Sequence, residues 1–174
     1  MRNRGEISKE QSTAHFDTQK QEKFLEDINN QVLVNCSNHQ AFNDDQLNAC
    51  KIQDGFELKF IQFPNVPPSA TESDIHIMAQ ALAEDIRIAA SAQHKIYVAN
   101  HNRAFPGVDL NPWKPFSPKV HIMGEATLIS HVLFALRGEN VCCASTTERL
   151  VTEEFGVKTS TFKFVQFRNY PQLD

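Results

Sequence analysis

Glycine-rich phosphate loops are missing from this 174-residue chain: neither Gly-x-x-x-x-Gly-Lys-Ser/Thr nor Gly-x-Gly-x-x-Gly occurs, and six glycines in all leave little material to build one. Gly-x-Ser-x-Gly and His-Glu-x-x-His are absent as well. Readings as a nucleoside triphosphatase, a dinucleotide oxidoreductase, an elbow-type serine hydrolase or a zincin therefore lose support. Cysteine is sparse, and Cys36, Cys50, Cys142 and Cys143 form no Cys-x-x-Cys pair and no Cys/His ligand spacing. They read as small reduced core residues, and neither a metal nor a cofactor is expected. Positive charge is not in excess: the net charge is −4, which argues against broad nucleic-acid binding through phosphate neutralisation. No apolar run approaches a membrane span, and the polar start (Met1-Arg2-Asn3-Arg4-Gly5-Glu6) lacks the apolar segment of a signal peptide. A cytoplasmic protein without membrane contact is the expectation.

With 41% apolar residues the chain can bury one substantial core. Residues 1–30 are polar, with a weakly amphipathic patch from Phe16 to Ile28, and read as a partly helical N-terminal extension that frays or packs on a partner. A single α/β domain is expected over 31–174. Its first buried strand is Val32 to Cys36, and a helix begins near Asn43-Asp44-Asp45, residue types that cap an N-terminus. Phe56 to Phe63 fits a strand, stopped by Pro64-Asn65-Val66-Pro67-Pro68. Ser69 or Thr71 then caps the longest helix, whose Ile75, Met78, Ala79, Leu82, Ile86 and Ala89/Ala90 form one buried stripe.

From Gln93 to Lys119 the apolar pattern breaks into turn formers around the single tryptophan, Trp113, so an inserted loop is expected over 93–119, as a lid, a surface insertion or a dimer contact. Val120 to Met123 is the third strand and Glu125 to Leu136 the third helix, ended by Gly138. Val141 to Ala144 is the fourth strand, and Arg149 to Phe155 with Lys158 to Phe167 form a hairpin around Gly156. Right-handed crossovers make the βαβαβαβ order a Rossmann-like or flavodoxin-like three-layer domain, with four parallel strands plus a C-terminal β-hairpin strand.

Three strands end in polar groups, and in open α/β sheets ligands bind outside the carboxyl ends of strands. The first exits into Ser37-Asn38-His39, the third into Gly124-Glu125-Ala126-Thr127, and the fourth into Ser145-Thr146-Thr147-Glu148-Arg149. His39 is the candidate acid–base group, because imidazole titrates near neutrality and a strand exit leaves it reachable. Ser145, Thr146, Thr147 and Arg149 suit an anion, since hydroxyls and a guanidinium surround phosphate oxygens well; equally, the threonines follow strand propensity and Arg149 pairs with Glu125 or Glu148. Gly124 and Thr127 stand where a helix N-terminus offers free amides, or Gly124 serves backbone geometry alone. Glu125 suits a ribose hydroxyl or base edge, or is an ordinary first-turn acid on the helix dipole. His121 and His131 read as a strand and a helix residue without a chemical role.

Residues 31–170 resemble a group of small uncharacterised prokaryotic α/β proteins in Ser37-Asn38-His39, Phe63-Pro64-Asn65-Val66-Pro67, Met123-Gly124-Glu125, Ala144-Ser145-Thr146-Thr147-Glu148-Arg149 and Phe164-Val165-Gln166-Phe167-Arg168. The architecture is similar to small CRISPR-associated Rossmann-fold proteins at motif level, and to stand-alone ring nucleases of antiviral defence in fold and pocket placement. That likeness implies a homodimer binding cyclic oligoadenylate across its twofold axis, and a nucleotide-binding phosphodiesterase that cleaves it without metal. Ser145, Thr146, Thr147 and Arg149 would hold phosphate, His39 would transfer the proton, and Ser37, Asn38, Asn65, Gly124, Glu125 and Thr127 would complete the ligand site. The alternatives are a non-catalytic nucleotide sensor and a protein-interaction module.

Overall fold

Short apolar runs buried on both faces set the architecture of the protein, described as a computed structural model over residues 19–38, 41–53, 55–108 and 116–171. Residues 19–29 form helix α1. Then follow β1 (Val32–Ser37), α2 (Asp44–Ala49), β2 (Lys59–Gln62), α3 (Glu72–Ala104), β3 (Lys119–Met123), α4 (Ala126–Ala135), β4 (Cys142–Glu154) and β5 (Val157–Asn169). The fold is α/β, with one five-stranded, mostly parallel sheet in the order β2-β1-β3-β4-β5. β1 pairs in parallel with β2 and β3, β3 pairs in parallel with β4, and β5 runs antiparallel to β4.

Both faces of the central strands are covered, which is why β1 is buried at all six positions. Val34 and Cys36 of β1, Val120 and Ile122 of β3 and Cys142 of β4 face α3 and α4, through Leu82, Ile86, Leu128 and Val132. On the opposite face Leu33 packs against Leu25 and Ile28 of α1 and Tyr97 of α3. Cys143 there meets Phe42 and Cys50, which flank α2. With Leu25 and Ile28 almost fully buried, the helical part of the polar N-terminal segment belongs to the core of this chain.

The helix starts were legible because the caps are strong. Asn43 accepts from the Gln46 amide while Gln46 bonds back to the Asn43 N–H, and Thr71 with Asp74 repeats this reciprocal box at the start of α3. The boundary expected at Gln93 is not observed, because α3 continues to Ala104. Its buried face carries on through Gln93, Tyr97 and His101, four residues apart, so the helical period persists while the apolar signal is lost. Residues 109–115, with Trp113, lie outside the described part. The fourth strand and the first hairpin arm, expected as separate pieces, are one continuous strand of 13 residues. Among the described residues no helix is long and apolar enough to cross a membrane.

One close approach joins the third strand exit to the core. A Cβ on Gly124 would lie 2.2 Å from the ring carbons of Phe63. Phe63 is 1% exposed and its N–H donates to the carbonyl of Ser37, so it cannot withdraw cheaply. Gly124→Ala is expected to cost about 1–3 kcal/mol by overpacking, measured as a lower urea midpoint at unchanged m-value. The same substitution in a Phe63→Leu background should cost less than half as much, and equal costs in both backgrounds would remove the contact as the cause.

All four cysteines are free and buried, and burial pushes the thiols of Cys36, Cys50, Cys142 and Cys143 up to about 12. Thiolate is the reactive form, so native protein at pH 8 should react with a thiol-disulfide reagent only as fast as it opens, and denaturant should release four thiols at once. A fast-reacting thiol in native protein would contradict this burial.

Candidate functional site

Strand order reverses between β1 and β3, since the chain leaves β1 towards β2 on one side and returns past it to β3 on the other. Such a reversal opens a crevice at the carboxyl ends of the two strands. Ser37 lies in register with Gln62 of β2 and Met123 of β3, so Ser37, Asn38, Gln62, Gly124 and Glu125 gather at that edge. Ser37 is fully buried. Asn38 is exposed, and its side-chain oxygen accepts from Gln62 Nε2 at 3.1 Å. Asn65 is exposed in the proline-rich loop two residues beyond Phe63. His39 lies outside the described residues.

The helix end expected to hold an anion is already occupied. Glu125 is the N-cap of α4, and its two carboxylate oxygens accept from the Thr127 N–H at 2.9 Å and the Leu128 N–H at 2.7 Å. Of the two readings open for Glu125, the helix-cap role is the one the geometry supports, and a phosphate at Gly124 and Thr127 would meet this carboxylate rather than free amides. Each oxygen keeps a lone pair for a hydroxyl donor, so the group remains able to accept from a sugar.

The hydroxyl cluster of the fourth strand divides in the same way. Ser145 alone points back to the sheet centre, whereas Thr146 Oγ1 donates to the carbonyl of Gln166 at 3.0 Å and Thr147 is exposed on the hairpin. Arg149 stands four residues past Ser145, about 13 Å along an extended chain, where its Nη2 meets Ser160 Oγ at 3.5 Å. Within one chain, Thr146, Thr147 and Arg149 do not converge with the β1 and β3 exits on a single phosphate.

A different polar line crosses the sheet instead. Asn35 of β1 lies directly beside His121 of β3, with Oδ1 2.9 Å from Nδ1, and the other ring nitrogen, Nε2, lies 2.9 Å from Ser145 Oγ of β4. Gln46, in the first turn of α2, donates from Nε2 to the same Oγ at 3.0 Å. An amide oxygen only accepts, so Nδ1 carries the proton, Nε2 accepts from the serine hydroxyl, and the line runs Gln46 to Ser145 to His121 to Asn35. Asn35 and His121 are 1% and 2% exposed, and the imidazole packs edge-on to Phe42 at 4.9 Å and Phe167 at 5.5 Å. Ser145 is half-buried.

Sequence reasoning set His121 aside and did not weigh Asn35 or Gln46. The signal was present: each of the strands Val-Leu-Val-Asn-Cys-Ser and Lys-Val-His-Ile-Met carries a polar residue between two buried apolar neighbours, two positions before its end. A buried polar group requires a partner, and equal spacing from the ends of adjacent parallel strands supplies one.

The cavity of about 290 Å³ bounded by Ser117, Leu136, Asn140, Val141 and Tyr170 lies at the amino end of β4, away from this edge. No protein-family model matches the chain, and no curated protein or solved structure is significantly similar to it.

The two amide bonds hold the Glu125 carboxyl below its ordinary value of 4.5. A depressed folded value means that the cap stabilises fully above the unfolded value and fades as pH falls through the folded one. The stability difference between the native chain and Glu125→Ala should therefore be constant at neutral pH and shrink progressively below pH about 4.5. A difference that grows on acidification, in urea titrations at each pH, would contradict the cap.

Proposed function

We propose that the chain is a Rossmann-like, flavodoxin-type nucleotide-binding protein that acts as a metal-independent phosphodiesterase, degrading cyclic oligoadenylate as a ring nuclease of antiviral signalling. The observation that carries the reading is the reversal between β1 and β3, with Ser37, Asn38, Gln62 and Glu125 at its carboxyl edge. These groups are hydroxyls, amides and one carboxylate, a set that suits sugar hydroxyls and base edges more than bare phosphate. Charge for the phosphates comes from Arg149 of a second copy, since the long hairpin carries that residue away from its own strand exits. The protein works in this reading as a cytoplasmic homodimer with the ligand on the twofold axis.

A second reading, a nucleotide sensor without turnover, draws on one observation. Ser145, His121, Asn35 and Gln46 already satisfy one another, so the edge can hold a ligand with no group freed for chemistry.

The test is incubation of the purified protein with cyclic and linear oligoadenylates in the presence of EDTA, read by mass spectrometry, beside Asn38→Ala and Arg149→Ala. Cleavage in EDTA, at least tenfold slower in both variants, supports the phosphodiesterase. Binding weakened at least tenfold by Asn38→Ala, without cleavage, supports the sensor. Absence of binding to every member of the panel overturns the nucleotide reading.

A further inference from the structure

We infer that Ser145 is a nucleophile, activated by His121 and oriented through Asn35, in a relay assembled across three adjacent strands. The inference deepens the phosphodiesterase reading by naming the attacking group, and its test uses no nucleotide, so the two fail separately.

The geometry has the parts such chemistry requires. A serine hydroxyl at 2.9 Å from Nε2 donates to the one nitrogen of His121 able to accept, because Asn35 at 2.9 Å from Nδ1 fixes the tautomer. Nucleophile, base and orienting group are thus in hydrogen-bond reach in sequence, the arrangement by which relays of this kind are recognised on unrelated folds, and asparagine is a known third member. Asn35 and His121 are buried while Ser145 is half-buried, so the serine is the most exposed residue of the three. Phe42 and Phe167 against the ring hold its plane.

A second observation points the same way. The pairing of β4 with β5 slips between Thr146 and Thr147, where Thr146 faces Gln166 and Thr147 faces Phe164, leaving Val165 as an extra residue in β5. Bulges recur beside active sites, where they re-aim side chains. This one begins one residue from Ser145. It also brings Phe164 and Phe167, three apart, to one face with ring centroids 5.1 Å apart, so the wall beside the relay depends on it.

The chemistry balances without an added oxidant or metal. Ser145 Oγ attacks phosphorus, the Oγ–P bond forms, and the hydroxyl proton passes to His121 Nε2. The bond from phosphorus to the leaving sugar oxygen breaks, and that oxygen takes the proton from His121. Water, giving its proton to Nε2, then attacks phosphorus, and Ser145 leaves with that proton restored. Asn35 accepts from Nδ1–H throughout. The Gln46 amide donates to Oγ at 3.0 Å and, with His121 on the other side, holds the hydroxyl in place.

The test is reaction of the full chain with diisopropyl fluorophosphate, a phosphoryl electrophile with fluoride as leaving group, followed by intact mass and peptide mapping. One adduct per chain is expected, at Ser145, and none in Ser145→Ala. The labelling rate should fall about a hundredfold in His121→Gln and about tenfold or more in Asn35→Ala and Gln46→Ala. Circular dichroism checks that each variant is folded. A folded native protein that takes no label, that is labelled elsewhere, or whose labelling is unchanged in folded His121→Gln overturns the inference.

Discussion

The hydrogen-bonded line from Gln46 through Ser145 and His121 to Asn35 is the constraint on which the arrangement of the central sheet rests. An unpaired amide or imidazole at 1–2% exposure would cost more than most single contacts contribute, so Asn35 and His121 must each find a partner, and they find one another. They meet in one register only. A slip of β3 against β1 by one residue would turn His121 to the α3 and α4 face and bring Val120 or Ile122 opposite Asn35. Apolar residues on both faces make the strands interchangeable in energy to first order. The polar line removes that freedom, and through Gln46 it also fixes where α2 docks, since the same glutamine closes the capping box with Asn43.

Much of the fold was legible because it depends on period and punctuation. β1, β3, the start of α3 and the limits of α4 follow from short continuous apolar runs, a 3.6-residue stripe and cap residues whose side chains bond the first turn. Legibility ended where burial stopped being apolar. Gln93, Tyr97 and His101 continue the buried face of α3 with polar atoms, one of them reaching the carbonyl of Glu57 at 2.9 Å, so a hydrophobic pattern read a loop where a helix runs on. The site was hidden for the same reason. Asn35 and His121 resemble blemishes in apolar strands until both strands are laid side by side, and their pairing is a property of the sheet rather than of either segment. Glu125 shows the converse: an acid at a strand exit was visible in the sequence, but only geometry shows its own carboxylate taking the helix amides a ligand would need.

The carboxyl edge therefore contains two kinds of polar group with different consequences. Asn38, Gln62 and the outer lone pairs of Glu125 are reachable from solvent and can exchange water for a ligand at little cost. Asn35 and His121 sit behind them, already desolvated, with the proton order set by an acceptor that never ionises. Using asparagine rather than aspartate keeps the resting line neutral, which lowers the penalty of burying it. It also sets a neutral amide oxygen, not a carboxylate, against Nδ1. Proton transfer from Ser145 is then favourable only when negative charge develops nearby, as it does on an attacked phosphoryl group.

The hairpin explains why the cationic member of the expected site stands apart. β3 pairs with β4 at Cys142 and Cys143 alone, so from Ala144 outwards β4 and β5 form a two-stranded ribbon, a form that is marginal without help. Cross-strand pairing supplies the help: Glu148 faces Lys163, Glu153 faces Lys158, and Thr152 bonds Thr159 at 2.8 Å. The tip turns through Phe155 and Gly156, both with positive φ, which suits the twist of a tight hairpin and which glycine adopts freely but phenylalanine does not. Arg149 belongs to this ribbon by register, opposite Phe162, and moving it to the strand exits would require undoing the ladder on both sides. The bulge at Val165 is where the ribbon and the sheet meet. It absorbs the change of twist between a supported strand and a free one, and it does so one residue from Ser145, so the direction of that hydroxyl and the path of the hairpin are set by the same irregularity.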